Sequence, residues 1–303
     1  MMKGKVIDIF AVIALIFAVP SAWAKGKGEI SSFLEAKVDC DHTVEGERII
    51  YEVTLFTPEP SVAGAEVAVN PDFTDLVAVR AASDSHMDRV ERDGVVYYTA
   101  VIDRFFVGTN KKGKYSIVGG DYKVGFNRQV TVNDPFWGPS VANRVEVIDL
   151  SAPTVKIEVC ELPEKGKPKD FTGAIGKFNV EISFHSDVKA GEESCLLITV
   201  SGQGDLTDSG LPDVREAFGD GIHFKSMTEN RSHFIQQGRL GSEMEMECSF
   251  VVEKPGKYVI NPVRFTYFDS EKGKYVTAES NSLEVDVPEA KPDNTSPPVI
   301  MDI

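Results

Sequence analysis

The sequence predicts an all-β protein in which one antiparallel sandwich is built twice, and three observations carry that prediction. Apolar residues recur at every second position: Ile49, Tyr51, Val53 and Leu55 stand against Arg48, Glu52 and Thr54, and Val96, Tyr98, Ala100 and Ile102 against Tyr97, Thr99 and Asp103. Period two with one apolar face marks half-buried antiparallel strands, and frequent Gly, Asn, Asp and Pro breaks keep those strands short. Helical periodicity is scarce, Leu211 to Phe218 being the best candidate for a short helix. The third observation is an internal repeat. Val44-Glu45-Gly46-Glu47 ahead of one strand matches Val188-Lys189-Ala190-Gly191-Glu192 ahead of Leu196 to Val200, and Gly113-Lys114-Tyr115-Ser116-Ile117 matches Gly256-Lys257-Tyr258-Val259-Ile260. Gly46 to Gly113 spans 67 residues and Gly191 to Gly256 spans 65. Each half closes with an alternating strand, Val155, Ile157 and Val159 before Pro163, and Leu283, Val285 and Val287 before Pro288. Matched order and spacing imply two copies of one fold, and short strands in this number fit tandem immunoglobulin-like antiparallel β-sandwiches.

Taken in order, the chain opens with a short basic region, Met1 to Lys5, an apolar run, Ile7 to Val19, and Ala22-Trp23-Ala24. That pattern predicts a secretory signal peptide over residues 1–24, cut after Ala24, with an uncleaved anchor as the alternative, and the run is too short for a comfortable membrane span. No Cys follows it, which argues against a lipoprotein, and no later stretch is apolar enough to cross a bilayer. The expected product is soluble and periplasmic. Residues 25–32 are polar and predicted loose. The first sandwich is expected over residues 33–160 and the second over 171–288. Between them, residues 161–170 hold Pro163, Gly166, Pro168 and several charges, which suit neither a helix nor a sheet interior. Residues 289–303 are rich in Pro, Asp, Asn and Ser, and predicted disordered. With 303 residues, 42% of them hydrophobic, the chain can bury two cores.

The two copies differ in one place. From the Gly-Lys-Tyr turn to the final strand is 42 residues in the first copy (Gly113 to Val155) and 27 in the second (Gly256 to Leu283). The surplus falls around Asn127 to Ser151 and reads as a loop at the end of the sandwich, a place such domains use for recognition. It contains Asn133-Asp134-Pro135-Phe136-Trp137-Gly138. Asp134, Phe136 and Trp137 are the first candidates for a partner site, since aromatic anchors dominate interface energetics; packing of both rings onto their own sandwich is the rival reading.

Other chemistry finds little support. The formal charge of −15 lacks the clustered Lys and Arg that nucleic acid or anionic lipid would need. Gly202-Gln203-Gly204 follows an apolar strand as a dinucleotide loop would, but Thr207 occupies the third glycine position, so a tight turn is expected. Asp205, Asp208 and Asp213 make the following segment acidic without calcium-loop spacing, so a solvated loop is expected; Asp205 and Asp208 are carried as further partner-site candidates. The five histidines show no ligand spacing, and Cys40, Cys160, Cys195 and Cys248 form no zinc pattern, so neither metal nor cofactor is expected. Cys40 and His42 would share a face of an extended strand, but no third orienting group accompanies them, and no catalytic residue is assigned. Strand phase points Cys248 into a core and Cys195 out of it. Cys40 and Cys160, near the two ends of the first sandwich, read equally as neighbours or as isolated thiols.

Val155-Lys156-Ile157-Glu158-Val159, Leu162-Pro163, Gly166-Lys167-Pro168 and Phe171-Thr172-Gly173-Ala174-Ile175-Gly176-Lys177-Phe178 together resemble the interdomain signature of the BatD family (Bacteroides aerotolerance, or oxygen tolerance). The resemblance continues through Val200 to Leu206 and Pro262 to Asp269, and covers roughly residues 30 to 288. It implies a non-catalytic envelope protein with tandem immunoglobulin-like domains, associated with other Bat proteins that carry von Willebrand factor A domains and with a MoxR-type ATPase. Longer members carry a C-terminal membrane span that this sequence lacks.

Three readings follow. The first is a periplasmic interaction module that binds von Willebrand A-type partners through the Asn127 to Ser151 segment, with Asp134 placed to complete a partner's metal shell. The second is a carbohydrate-binding or adhesin-like protein with Phe136 and Trp137 as a sugar platform. The third is a thiol-redox enzyme acting through Cys40 or Cys160, which requires an accessible thiol of lowered pKa.

Overall fold

The computed structural model describes residues 31–288, except 84, 85, 135 and 137 and the side chains of 133 and 134. The expected signal peptide and C-terminal tail, and Trp137, lie outside the described residues. The chain is all-β. The first half contributes β1 (Phe33–Val38), β2 (His42–Val44), β3 (Arg48–Thr57), β4 (Val62–Val69), β5 (Val77–Arg80), β6 (Asp88–Arg92), β7 (Val95–Gly108), β8 (Gly113–Ile117), β9 (Asp121–Asp134), β10 (Gly138–Ser151) and β11 (Val155–Cys160). The second contributes β12 (Phe171–Phe184), β13 (Glu193–Asp205), β14 (Ile222–Gln236), β15 (Arg239–Val252), β16 (Gly256–Ile260), β17 (Arg264–Asp269), β18 (Lys274–Glu279) and β19 (Leu283–Val287). The expected short helix is a single 3-10 turn, Arg215–Ala217.

No sheet is shared between the halves, and each half has its own core. In the first, a sheet ordered β1-β3-β7-β5, with β6 also on β7, faces two smaller sheets, β10-β9-β4 and β2-β11-β8. Ile49, Tyr51, Val53 and Leu55 of β3 meet Tyr122, Val124 and Phe126 of β9 and Ile157 and Val159 of β11 between them. The period-two residues of β3 are thus the core face. On β7 the pairing slips between Val53 and Thr54, so that Asp103 faces Val53 and Val101 faces Thr54. The bulge re-aims the strand, a known effect of one extra residue. Beyond it the odd-numbered Phe105 and Val107 are buried, and Asp103 turns inward to accept the Tyr122 hydroxyl at 3.0 Å and pair with Arg80 at 3.0 Å.

In the second half, a six-stranded sheet ordered β14-β15-β13-β12-β17-β18 packs on the pair β16-β19. Leu196, Ile198 and Val200 of β13 and Met244, Met246, Cys248 and Phe250 of β15 are fully buried. Cys195 falls on the opposite phase and is only partly covered, so the two thiols stay apart, and all four cysteines are free.

The repeat is visible strand by strand. β1-β3-β7-β6 corresponds to β12-β13-β15-β14, the hairpin β9-β10 to β17-β18, and the antiparallel pair β8-β11 to β16-β19. The surplus residues of the first copy lie in its hairpin, and here the expectation of a loop is corrected. β9 and β10 pair without interruption from Asp121↔Ser151 to Asp134↔Gly138, whereas β17 and β18 pair only from Arg264↔Glu279 to Asp269↔Lys274. Asn127 to Ser151 is therefore a long β-ribbon, with Phe136 at its tip.

Candidate functional site

The ribbon has two parts. At its root β9 is held on both sides, by β10 and by β4, whose pairing runs from Val69↔Asp121 to Val62↔Phe126. Beyond Phe126 only β9 and β10 continue, as a two-stranded arm. Arg128 ties the arm to the body, reaching Glu146 at 2.8 Å and Glu59 at 2.6 Å. Residues paired across the hairpin share a face, so the row containing Tyr122, Val124 and Phe126 points into the core, and the alternate row points outward. Val141, Val145 and Val147 of β10 lie in that outward row and are 69%, 52% and 56% exposed.

This valine stripe borders a depression on the outer face of the β10-β9-β4 sheet. Ala63, Gly64, Ala65 and Gly125 floor it, Val145 and Val147 form one wall, and its volume is about 650 Å³. Gly125 keeps it open at a cost in tolerance: a Cβ there would meet Val145 Cγ1 at 2.9 Å. Glu66, Lys123 and Asp149 supply polar edges. Solvated edge strands are usually short or heavily charged, whereas the edge strand β10 is long and bears three exposed valines.

The sequence-predicted residues divide. Phe136 is 91% exposed at the tip of the arm. Asp134 ends β9 opposite Gly138, and Trp137 lies outside the described residues. Asp205 and Asp208 are elsewhere, at the junction of the two sandwiches. Arg48, at the start of β3, sets its Nε 3.0 Å from Asp205 and its Nη2 2.9 Å from Asp208. Asp205 also accepts hydrogen bonds from the Thr207 backbone at 2.8 Å and hydroxyl at 2.6 Å, and lies 2.9 Å from His233 Nε2. Burial works to raise its pKa; the bonds from Thr207 and His233 and the charge of Arg48 outweigh that and hold it below the ordinary carboxylate value. Its carboxylate, 7% exposed, is thereby occupied within the chain, while Asp208 keeps 82% exposure. Nearby, the Ser270 hydroxyl donates to Glu47 at 2.7 Å and His233 lies against Phe106, their ring centroids 6.0 Å apart.

Gly202-Gln203-Gly204 is also corrected, from a tight turn to the continuation of β13 against β12, Gly204 facing Gly176. A Cβ on Gly202 would stand 2.0 Å from the Lys177 carbonyl, so the glycines serve close strand approach. The following segment is fixed by Arg231, whose Nη1 donates to the carbonyls of Leu206, Thr207 and Ser209. Sequence reasoning missed both: Arg48 reads as an ordinary outward strand residue, and no pattern singles out Arg231.

Cys40 donates its thiol to the His42 carbonyl at 2.9 Å, while His42 Nδ1 sits 2.9 Å from Asp41. Burial pushes the Cys40 thiol up, the reverse of what a reactive thiolate needs. Cys160 is exposed. Among the described residues no group of three His, Cys, Asp or Glu is arranged to hold a metal ion, and no helix is long and apolar enough to cross a membrane.

Comparison with known proteins adds one family. Residues 183–287 match BatD, described as the BatD DUF11 like domain; the match covers the body of the second sandwich and leaves the first outside it. No curated protein sequence matches the chain. Among solved structures, the chain is similar to the type II cohesin dyad from the adaptor ScaA scaffoldin of Acetivibrio cellulolyticus, at 10% identity over 86% of this chain and 100% of that one, with a TM-score of 0.23. A similarity to an endo-fucoidan hydrolase of glycoside hydrolase family 107 covers 79% of this chain and 34% of that one, at 11% identity and a TM-score of 0.14. At those scores neither structural likeness bears on function. The chain carries a BatD domain in its second sandwich, and through that domain it is similar to the Bat-like, aerotolerance-associated proteins.

Proposed function

We propose that the protein is a non-enzymatic periplasmic interaction component of a Bat-like system, and that it binds a von Willebrand A-type partner through the outer face of the β10-β9-β4 sheet and the arm that extends it. The observation that carries this reading is the exposed stripe of Val141, Val145 and Val147 beside a glycine-floored depression. A surface of this kind offers apolar area for burial at a protein interface, with polar groups at its rim. The arm brings Phe136 to the far end of the same element, where an aromatic anchor would engage the partner. The BatD domain supplies the second support, since its family is associated with the envelope.

The test is affinity capture with the tagged protein from a membrane-envelope extract, wild type against the triple variant Val141→Ser, Val145→Ser and Val147→Ser. Recovery of a von Willebrand A protein by the wild type and its loss in a variant of unchanged melting temperature supports the reading. Equal recovery by both refutes the assigned surface. A glycan-array hit that depends on Phe136 would instead favour the carbohydrate-binding alternative.

A further inference from the structure

The two copies finish differently. In the first sandwich the final strand β11 is covered on both edges: β8 pairs with it antiparallel, and β2 pairs with it parallel through Glu158↔His42 and Cys160↔Val44. The Glu158 N–H donates to the Asp41 carbonyl at 2.8 Å, and the Glu45 N–H to the Cys160 carbonyl at 2.9 Å. In the second sandwich, among the described residues, β19 pairs with β16 alone.

Register fixes the correspondence. Val155, Ile157 and Val159 face Ile117, Tyr115 and Gly113 just as Leu283, Val285 and Val287 face Ile260, Tyr258 and Gly256, so Asp286 stands where Glu158 does. Gly46, with φ +85° and its N–H on the Thr109 carbonyl at 2.9 Å, corresponds to Gly191, with φ +76° and its N–H on the Val252 carbonyl at 2.8 Å. The counterpart of β2 is therefore Asp187 to Lys189. It does not reach β19; its neighbour Ala190 bridges to Val252 instead.

Between that segment and β19 lies a groove of about 870 Å³. Phe184, Val188, Ala190 and Val285 give it an apolar lining, and Asp187, Glu284 and Asp286 give it an acidic rim. Glu192 is taken up by Lys189 at 3.4 Å, whereas Asp187, Glu284 and Asp286 have no ion-pair partner among the described residues. An open strand edge with its outward N–H and C=O groups is a template for one more strand.

We propose that this groove receives an extended segment of a partner protein, added as a strand along the free edge of β19, with lysine or arginine toward the rim and small apolar side chains toward the lining. Charge selects a partner over the chain's own residues 289–303, which hold three acids (Glu289, Asp293, Asp302) against one base (Lys291). The site is separate from the arm and stands or falls independently of it.

The probe is an eight-residue peptide alternating lysine and valine, with a glutamate-valine peptide as control, titrated onto the full chain by fluorescence anisotropy and followed by amide hydrogen exchange. The lysine peptide is expected to bind and to slow exchange at the Asp286 amide, and the glutamate peptide to bind at least about tenfold more weakly. Asp286→Pro removes the edge donor but no bond of the β16-β19 ladder, and should abolish binding. Should that variant fail to fold, the double variant Glu284→Lys and Asp286→Lys decides by reversing the preference between the two peptides. Removing the arm stripe should leave binding unchanged. The proposal is overturned if the lysine peptide does not bind, if it binds a folded Asp286→Pro variant as well as the wild type, or if it binds only after residues beyond Pro288 are deleted.

Discussion

Replacing Asp205 by Ala tests whether the two sandwiches are locked together by chemistry inside the chain. The substitution removes an acceptor 7% exposed from Arg48, itself 18% exposed, and from Thr207 and His233. Breaking a fully buried ion pair from one side costs about 3–5 kcal/mol. Arg48 keeps Asp208, so the lower end applies, and the expected loss is about 3 kcal/mol. For a chain of this size each kcal/mol moves the melting temperature by about 2–4 °C, giving a fall of about 6–12 °C. A double-mutant cycle with Arg48→Ala isolates the pair from the other lost bonds. Measured by urea unfolding under circular dichroism, the Arg48–Asp205 coupling should reach about 1.5 kcal/mol or more. The same cycle with Asp208→Ala, a residue 82% exposed, should stay below about 1 kcal/mol. An Arg48–Asp205 coupling below about 0.5 kcal/mol would refute the reasoning, because it is the value of an ordinary exposed pair.

Further predictions rest on single sites. Asp205 is held below its ordinary value of 3.8, so its stabilisation is complete above the unfolded carboxylate pKa and is lost as pH falls through the lower folded value; unfolding midpoints measured from pH 6 down to pH 2 should fall less steeply in Asp205→Asn than in the wild type. Arg231→Met removes the donor to the three carbonyls of Leu206, Thr207 and Ser209, and hydrogen exchange at residues 206–210 should accelerate before the core of β13 does. Burial pushes the Cys248 thiol up to about 12 and raises that of Cys40, so a maleimide at neutral pH should label exposed Cys160 first and Cys248 only on unfolding. Changing Cys40 and Cys160 to Ser should leave partner capture intact; its loss would revive the thiol-redox reading.

Much of the architecture was legible because a sandwich core writes itself as alternation. Met244 to Phe250 has one buried face, Ile49, Tyr51, Val53 and Leu55 line the core although Ile50 and Glu52 on the other face are buried as well, and the matched Gly-Lys-Tyr turns gave the repeat its register. The arm was misread for the same physical reason. Asn127 to Asp134 extends beyond the body, so neither face must be apolar, and its alternation is confined to Val130 and Val132 about Thr131; Pro135, Gly138 and Pro139 then punctuate it like a loop. The valine stripe escaped notice because Val141, Val145 and Val147 fall in the segment read as a loop, and only the β9-β10 pairing puts them on one outward row. On Asp205 the sequence showed acid and suggested solvent. Its partner Arg48 belongs to the other sandwich, and no local pattern brings the two together.

The claim that the outer face of the β10-β9-β4 sheet is the docking surface is tested most directly by site-specific photo-crosslinking. A photoreactive amino acid is placed at position 141 on the arm, and in a separate variant at exposed Glu271 on the second sandwich, and each is irradiated in the native envelope. The account predicts a crosslink from position 141 to a von Willebrand A-type protein and none from position 271. A crosslink to that partner from position 271 with silence at position 141 would contradict it.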